Sequence, residues 1–373
     1  MKQQYFILSI CILLLTGFKT SAQNNFSIAG RVTDEKGAPL KSATVFISGS
    51  QRITVCDEQG NFRFDHLDAG NYQLNVTMIG YLPFSHHFPV QTNFPELNIK
   101  LKINQTHLKQ VNIGGKDRSA QYLTLFFKEL LGSTINADSC KILNPEVINF
   151  STRDKNLYAD ADELLIIDNK RLGYRIKYLL KSFRHLQHTI NTAYDGDAVF
   201  EELPGTDSQK QEWAKNRSET YKGSMMQFFR SVFTNTALQE GFITNFIVGV
   251  DVRNTNYLAT FDIPHDGPFV FLSNRQYRAL FVEYNPKKAL KMLSKSTNAA
   301  DGTAIEHLKF NIKPPHYESK IFTTLKGASI DAAGNVPTGY FTTFLILGDW
   351  IKKRVGDQLP FEYQPPVTSP TSP

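Results

Sequence analysis

The stretch DAGNYQLNVTM at residues 68–78 decides the fold of the first part of the chain. Its first residues are turn formers, and apolar and polar side chains alternate in the remainder. The apolar set is Tyr72, Leu74, Val76 and Met78, and the polar set is Gln73, Asn75 and Thr77. A period of two predicts a strand of an antiparallel sheet with one buried face and one wet face.

Similar short stretches lie on both sides of this strand. They are Phe26–Thr33, Thr44–Ile47, Arg52–Cys56, Phe62–Phe64 and Leu97–Ile103. Turn residues such as Gly37 and Gly60 separate them. About seven short strands at this spacing predict an all-β, antiparallel sandwich.

An ordered string of residues in the same region resembles a known family. The string is Gly30-Arg31-Val32-Thr33-Asp34, Gly37-Ala38-Pro39-Leu40, Ala43-Thr44-Val45, Thr54 with Asp57, Gly60-Asn61-Phe62, and Leu67 through Gly70-Asn71-Tyr72 to Gly80-Tyr81. It is similar to the carboxypeptidase regulatory-like domain, a transthyretin-like sandwich at the N-termini of exported Bacteroidetes proteins. The resemblance covers roughly 80 residues and implies an accessory module rather than a peptidase.

The first residues have the order of a secretory signal. Lys2 precedes an apolar run from Tyr5 to Leu15, and the small residues Ser21 and Ala22 follow. The run is shorter than the ~20 residues of a membrane span. We therefore expect export to the periplasm or the outer membrane, cleavage near Gln23, and no transmembrane span.

The composition limits the classes of partner and the redox chemistry. The chain has 373 residues and a formal charge of +6, which is too mild to predict nucleic-acid binding. Outside the signal, Cys56 and Cys140 fall in different predicted domains. Two separate buried thiols are the favoured interpretation, and a disulfide is the alternative.

The remainder predicts one α+β unit with mainly antiparallel sheet. A helix is expected at Ser119–Leu131, strands dominate 157–203, helices return between 209 and 240, and strands follow 242. The expected organisation is a signal peptide at 1–23, the sandwich at 24–113, the α+β domain at 118–360 and a Pro-rich tail at 361–373. A hinge is expected at Gly114-Gly115.

The histidines argue against a zinc peptidase. The chain has nine, and none is followed three residues later by the Glu that a carboxypeptidase site needs. His185 and His188 are three apart, but their context is strand-like, which places them on opposite faces. The neighbouring Asp195-Gly196 is interpreted as a turn. We expect no metal, no cofactor and no enzymatic activity.

Two groups of residues are binding candidates. A basic run from Lys170 to Arg184 includes Arg175 and Lys177 and could meet an anionic envelope polymer, although a solvated sheet face is the usual cause. Trp213, Arg217, Tyr221 and Arg230 could bind a carboxylate or a sugar acid. Helix-end salt bridges are the more common explanation of the second group.

The favoured function is that of an exported envelope protein with a non-catalytic accessory domain and a binding or scaffolding role. Its partner would be an envelope protein or an anionic or glycan polymer. A glycan-binding protein is one alternative, favoured if Tyr81, Phe84 and Phe88 are exposed together. An undescribed hydrolase is another, favoured if two members of a polar set share a pocket. That set is His185, His188, Asp195, Asp197 and His265.

Export predicts that the mature protein lacks its first residues. The charged, apolar and small-residue order of residues 1–23 should direct cleavage close to Gln23. N-terminal sequencing of the protein from its native envelope is the measurement. An intact Met1 would show that the segment is not a cleaved signal.

Overall fold

The computed structural model describes residues 26–92, 95–104, 116–187, 191–247, 257–258, 265–266, 269–273, 279–296, 318–323, 327–336 and 344–366. The predicted signal at 1–23, the hinge at 114–115 and His188 lie outside the described residues. Among the helices that are described, none combines the length and apolar character that crossing a membrane requires.

Residues 26–100 form a β-sandwich, as predicted. Its strands are β1 (Phe26–Thr33), β2 (Thr44–Ile47), β3 (Ile53–Val55), β4 (Asn61–Leu67), β5 (Gly70–Thr77), β6 (Phe84–Val90) and β7 (Leu97–Lys100). One sheet has the order β4-β1-β7 and the other the order β3-β2-β5-β6. Apolar residues of both inner faces, such as Ile28, Val45 and Leu74, are fully buried between them.

Two features of the sandwich differ from the expectation. β6 lies in a stretch where no strand is predicted, because Pro89 and two histidines obscure the alternation. As an edge strand, β6 tolerates a proline. β7 pairs with β1 in parallel, so the sandwich is not wholly antiparallel. Gly30 permits this pairing, since a Cβ there would lie 2.4 Å from the Leu97 carbonyl oxygen.

The face of β5 that is predicted to be wet is buried. Gln73 is 9% exposed and Asn75 is 0% exposed. The Gln73 amide Nε2 donates to Asp197 Oδ2 at 2.6 Å, and Asn75 Oδ1 accepts from Ser85 Oγ at 2.6 Å. Because buried polar groups need partners, the polar half of this alternation marks an interface and not a solvent face.

A larger antiparallel sheet follows the sandwich. Its strands are β8 (Cys140–Ile142), β9 (Ile148–Arg153), β10 (Asn156–Ala161), β11 (Leu165–Asn169), β12 (Tyr174–Leu186) and β13 (Asn191–Glu202). The order is β8-β11-β12-β10-β9, with β13 pairing along β12. Asp195-Gly196 lies inside β13, so its interpretation as a turn is wrong.

The predicted helix at 119–131 is present as α1 (Lys116–Leu131) and packs on this sheet. Phe126 is fully buried, with its ring centroid 4.8 Å from that of Phe183 and 5.7 Å from that of Phe150. Gly132 follows the helix with φ +106°, the left-handed conformation expected of a C-terminal cap.

The rest of the chain adds two smaller sheets, and the pairings within them are antiparallel. Their strands are β14 (Phe242–Ile247), β15 (Tyr257–Leu258), β16 (His265–Asp266), β17 (Phe269–Ser273), β18 (Ala279–Tyr284), β19 (Glu318–Thr323), β20 (Gly327–Asp331) and β21 (Phe344–Gly348). The orders are β15-β14-β18-β19-β21 and β16-β17-β20. The predicted fold class is thereby confirmed; the domain limits 24–113 and 118–360 stay a prediction.

Further helices follow α1 in the described part of the chain. They are α2 (Ile135–Asp138), α3 (Asp207–Tyr221), α4 (Met225–Phe233) and α5 (Pro286–Ser296). Gly223 separates α3 from α4 with φ +66°, and a Cβ there would lie 2.6 Å from the Tyr284 ring. The glycine therefore marks a close backbone approach.

The turn between β2 and β3 docks the sandwich onto the larger sheet. Gly49 N–H donates to the Ala198 carbonyl at 2.7 Å, and Phe200 N–H donates to the Ser50 carbonyl at 2.9 Å. On its other side the Gly49 carbonyl accepts from Phe361 N–H at 2.7 Å. Gly49 has φ +72°, and a Cβ would meet the Phe361 ring at 2.2 Å, so a side chain here would prevent docking.

The predicted tail at 361–373 begins inside the folded structure. Glu362 Oε2 accepts from Gln51 N–H at 3.0 Å, and Glu362 Oε1 lies 3.7 Å from Arg52 Nε. Tyr363 packs beside Tyr221, with 5.6 Å between ring centroids. At least residues 361–363 therefore form part of the junction between the sandwich and the following sheet.

Candidate functional site

A cavity of about 290 Å³ lies at the junction of the sandwich with the rest of the chain. The sandwich contributes Ser48, Gly49, Gln73 and His87 to its lining. The strands β12 and β13 contribute Tyr178, Lys181, Phe200 and residues 194–198. Thr220, the start of α4, Asn335, Val336 and residues of the segment 350–361 complete it. Both halves of the chain are therefore needed to build this cavity.

Asp197 is the polar centre of the junction. Its carboxylate is 6% exposed, accepts from Ser48 Oγ and Gln73 Nε2 at 2.6 Å each, and lies 2.6 Å from Lys181 Nζ. Lys181 is the extra residue of a β-bulge, because Leu180 pairs with Gly196 and Ser182 with Asp195. Bulges redirect side chains, and this one allows the ammonium to reach Asp197.

Beside the Asp197–Lys181 pair, two other polar groups line the cavity, the Asp195 carboxylate and the Tyr178 hydroxyl. Asp195 is exposed, and within the described part of the chain it makes no ion pair. Tyr178 is 2% exposed, and its hydroxyl lies against the backbone of Gly196, where a Cβ would be 2.5 Å away. Burial raises the pKa of Tyr178 well above its usual value, which keeps the hydroxyl protonated.

The other end of the cavity is apolar. Met225 and Met226, in the first turn of α4, line it together with Trp350, Leu359 and Phe361. The Trp350 indole N–H donates to the Gly223 carbonyl at 2.8 Å, which fixes the ring. Thioether and aromatic side chains of this kind adapt to apolar ligands.

A second buried carboxylate joins the two halves. Asp331 Oδ2 accepts from Asn71 N–H at 2.9 Å, and Oδ1 accepts from the backbone N–H groups of Ala333 and Asn335 at 3.0 and 2.9 Å. Burial raises the pKa of Asp331 from 3.8 to about 6, although these hydrogen bonds oppose the rise. Asn335 Nδ2 returns a hydrogen bond to the Asn71 carbonyl at 2.7 Å.

Trp213 and Arg217 hold α3 against the loop between β11 and β12. The Trp213 indole N–H donates to the Lys170 carbonyl at 2.9 Å. Arg217 donates to the Leu172 carbonyl at 2.7 Å and stacks 3.8 Å from the centroid of the Tyr174 ring. Neither residue is among those that line the cavity.

Tyr221 and Arg230 are also engaged within the fold. Arg230 is 9% exposed and donates to the carbonyls of Ala333, Phe361 and Tyr363 at 2.9–3.0 Å. Its guanidinium lies 5.5 Å from the centroid of the Tyr221 ring. Arg230 thus ties the turn after β20 to the C-terminal segment, beside the cavity rather than in it.

Basic side chains of the run on β12 pair with acidic residues on the neighbouring strands. Arg175 Nε lies 2.7 Å from Asp168 Oδ1, and Lys177 Nζ lies 2.7 Å from Glu201 Oε1. Cross-strand pairs of opposite charge account for this pattern without an anionic polymer. The interpretation as an ordinary sheet face is favoured, and a binding role for Arg175 and Lys177 stays a prediction.

The structure brings together only some of the five polar residues on which the hydrolase hypothesis depends. Asp195 and Asp197 both line the cavity, whereas His185 is buried with its Nδ1 2.7 Å from Thr192 Oγ1. His188 and the side chain of His265 lie outside the described residues. Among the residues that are described, no three His, Cys, Asp or Glu side chains converge as a metal site would require.

The aromatic residues of the glycan hypothesis do not form an exposed platform. Phe88 is 4% exposed, and Tyr81 and Phe84 are half-buried against the sandwich core. Cys56 and Cys140 are both free, as favoured above. Burial raises the pKa of the Cys56 thiol to about 11 and that of Cys140 to about 12, which makes both poor nucleophiles.

Comparison with protein families agrees with the sandwich that begins at Phe26. The family described as a CarboxypepD_reg-like domain matches residues 28–113. Residues 28–113 are a carboxypeptidase regulatory-like domain. This domain supplies Ser48, Gly49, Gln73 and His87 to the cavity.

No curated protein matches the chain. Among solved structures, a type II cohesin–X-dockerin complex from Acetivibrio cellulolyticus shares 20% identity over 26% of this chain and 71% of its own, with a TM-score of 0.21. A DUF3823 family protein from Bacteroides ovatus shares 9% identity over 48% of this chain and 82% of its own, with a TM-score of 0.19. A protein from Bacteroides uniformis that is proposed to bind carbohydrate shares 9% identity over 48% of this chain and 98% of its own, with a TM-score of 0.19. These TM-scores are too low to guide a functional assignment.

Sequence reasoning did not identify the roles of Asp197 and Asp331. One signal was present, because the polar residues Gln73 and Asn75 follow a turn on a strand with no charged side chain on that face. A face of neutral amides is as compatible with a buried polar interface as with solvent.

We expect Asp197→Ala to lower the free energy of unfolding by about 3 kcal/mol, because it leaves the buried Gln73 amide and the partly buried Lys181 ammonium without their shared acceptor. Urea denaturation at pH 7 is the measurement. Asp168→Ala is the matched control, since it removes a more exposed ion pair on the same sheet and should cost about 1 kcal/mol. Equal losses in the two variants would contradict the central role of Asp197.

The raised pKa of Asp331 predicts that the free energy of unfolding depends on pH. Its folded pKa is raised to about 6 from 3.8, so the folded state binds a proton that the unfolded state releases. This proton therefore adds its full contribution to the free energy of unfolding below about pH 4. The contribution, at most about 3 kcal/mol, is lost as the pH rises through 6. Asp331→Asn should lack this change. Urea denaturation from pH 4 to 7 tests it, and parallel curves for the two proteins would contradict it.

Proposed function

We propose that this is an exported cell-envelope protein that binds a small ligand in the cavity between its carboxypeptidase regulatory-like domain and its C-terminal half. The observation that carries the proposal is the joint construction of the cavity, in which Ser48 and Gln73 of the domain hold the Asp197 carboxylate of the other half. Ligand pockets are commonly found at such junctions.

The side chains favour binding over chemical conversion. The carboxylate of Asp197 is occupied by three donors, and Arg354 lies 3.2 Å from Glu129 Oε2. A catalytic acid or base needs a group free to exchange a proton with the substrate. The carboxypeptidase regulatory-like domain is a non-catalytic module, and its contribution here is a wall of the cavity.

The envelope location rests on the signal-like order of residues 1–23 and on the domain. Exported Bacteroidetes proteins carry this domain at their N-termini, as the family resemblance implies. A protein of the envelope that recruits a soluble ligand, or that presents the cavity to a neighbouring envelope protein or glycan, fits both observations.

A hydrolase is the second candidate, favoured by the presence of Asp195 and Asp197 in one cavity. Paired carboxylates can supply acid and base if one of them is free to hold a proton. Turnover of a glycoside or peptide that is lost in Asp195→Asn would favour this candidate over simple binding.

Binding of a fluorescent apolar probe tests the proposed function. N-phenyl-1-naphthylamine, excited where tryptophan does not absorb, should gain emission on entering the apolar end of the cavity. Gln358→Trp introduces a large side chain at a half-buried lining position and should weaken probe binding about tenfold.

Gln211→Trp, the same substitution on the exposed face of α3, is the matched control and should leave binding unchanged. Probe affinity that is equal in both variants, or absent from the unmodified protein, would contradict a ligand cavity at this junction.

A further inference from the structure

The edge of β13 continues into the cavity beyond the point where the sandwich docks on it. Ala198 and Phe200 direct backbone groups to that edge, because the Ala198 carbonyl and Phe200 N–H bond the turn at 49–50. Alternate residues of a strand direct their N–H and C=O to the same side. Gly196, two residues before Ala198, therefore directs its backbone groups to the same open edge.

These backbone groups are available to a ligand. Gly196 lines the cavity, and in the described part of the chain neither its N–H nor its C=O has a partner on that side of β13. A Cβ at Gly196 would lie 2.5 Å from both the Tyr178 hydroxyl and the Leu179 carbonyl oxygen, so glycine lets Tyr178 pack here while the backbone groups stay on the edge. An extended peptide can bind such an edge through main-chain hydrogen bonds.

The charges around the cavity leave one carboxylate uncompensated. Lys181 pairs with Asp197, and Arg354 pairs with Glu129. Lys353 interacts with Asp357, whose pKa it lowers against the effect of burial. These pairs leave Asp195 without a cation.

His87 does not supply the missing positive charge, because burial lowers its pKa and leaves the imidazole ring neutral near pH 7. The charged residues that line the cavity balance formally, with three cations against three carboxylates, but Asp195, next to the backbone of Gly196, makes no ion pair in the described part of the chain. A positively charged group on the ligand would give Asp195 a partner.

A buried hydroxyl and an apolar wall complete the arrangement. Tyr178, 2% exposed, lies against Gly196, and its hydroxyl has no hydrogen-bond partner among the described residues. Met226 and Trp350 line the apolar end of the same cavity. This hydroxyl lines the cavity, so it can donate a hydrogen bond to an acceptor on a ligand.

We propose that the cavity binds the amino-terminal end of a short peptide with an apolar first side chain, laid along the edge of β13. The α-ammonium pairs with Asp195, main-chain groups bond Gly196, and the first side chain packs toward Met226 and Trp350. The proposal rests on the proposed function, since it names the ligand class of the same cavity.

Titration calorimetry with a matched pair of peptides tests the proposal. The probes are Phe-Ala-Ala amide and its N-acetyl form, in which an uncharged acetamide replaces the ammonium group. The acetylated peptide should bind the unmodified protein about two- to fivefold more weakly, the effect of one partly exposed ion pair. In Asp195→Asn the two peptides should bind equally.

Asp154→Asn is the control, because Asp154 is an exposed carboxylate on the turn between β9 and β10, away from the cavity. It should preserve the preference for the free amino terminus. The comparison of the two peptides on the unmodified protein needs no variant, so it remains decisive if a substitution impairs folding.

A third probe, 2-phenylethylamine, has the amine and the ring but no peptide groups. It should bind more weakly than Phe-Ala-Ala amide, and equal affinity would overturn the strand-edge contact. Equal binding of the free and acetylated peptides, or binding of neither, would overturn the proposal. If N-phenyl-1-naphthylamine still binds in that case, the proposed function survives, whereas loss of both would remove it too.

Discussion

The buried carboxylate of Asp197 is the contact on which the arrangement of the two halves depends. It collects Ser48 and Gln73 from the carboxypeptidase regulatory-like domain and Lys181 from its own sheet, each at 2.6 Å. A carboxylate loses much of its hydration at 6% exposure and is tolerated there only if its acceptor sites are filled. Since the donors come from both halves, separating the halves would expose or orphan all of them at once. The contact therefore specifies one docking geometry.

Around this contact the junction is polar rather than apolar. Asp331 and Glu362 accept backbone N–H groups of Asn71 and Gln51, and Gly49 bridges β13 and the C-terminal segment through its backbone. Burial raises the pKa of both carboxyls, which couples the docked state to pH. The cavity adjoins these contacts, since Gly49, Asn335 and Phe361 are among the residues that line it. The same features that align the halves thus leave space for a ligand.

The residues that sequence reasoning selected as binding candidates mostly serve the fold. Trp213 and Arg217 fix α3 to the loop after β11, and Arg230 binds three carbonyls that belong to distant parts of the chain. Aromatic and guanidinium groups suit such roles because they combine apolar area with several donors. Composition and spacing cannot separate this use from ligand binding, since both need the same chemistry. Only the positions of the acceptors, which belong to chain segments 43 to 133 residues away, distinguish the two.

The sequence determined the sandwich, the α+β character of the remainder and the absence of a zinc-peptidase pairing, because period-two alternation, turn residues and ligand spacing are local properties. It also pointed to Asp195 and Asp197, although as part of a turn. The tertiary structure decided that the polar face of β5 is buried, that β7 pairs in parallel with β1, and that residues 361–363 dock instead of trailing. Alternation reveals that a strand has two faces but not what covers them. That depends on contacts between residues far apart in the chain, and the cavity exists only because of those contacts.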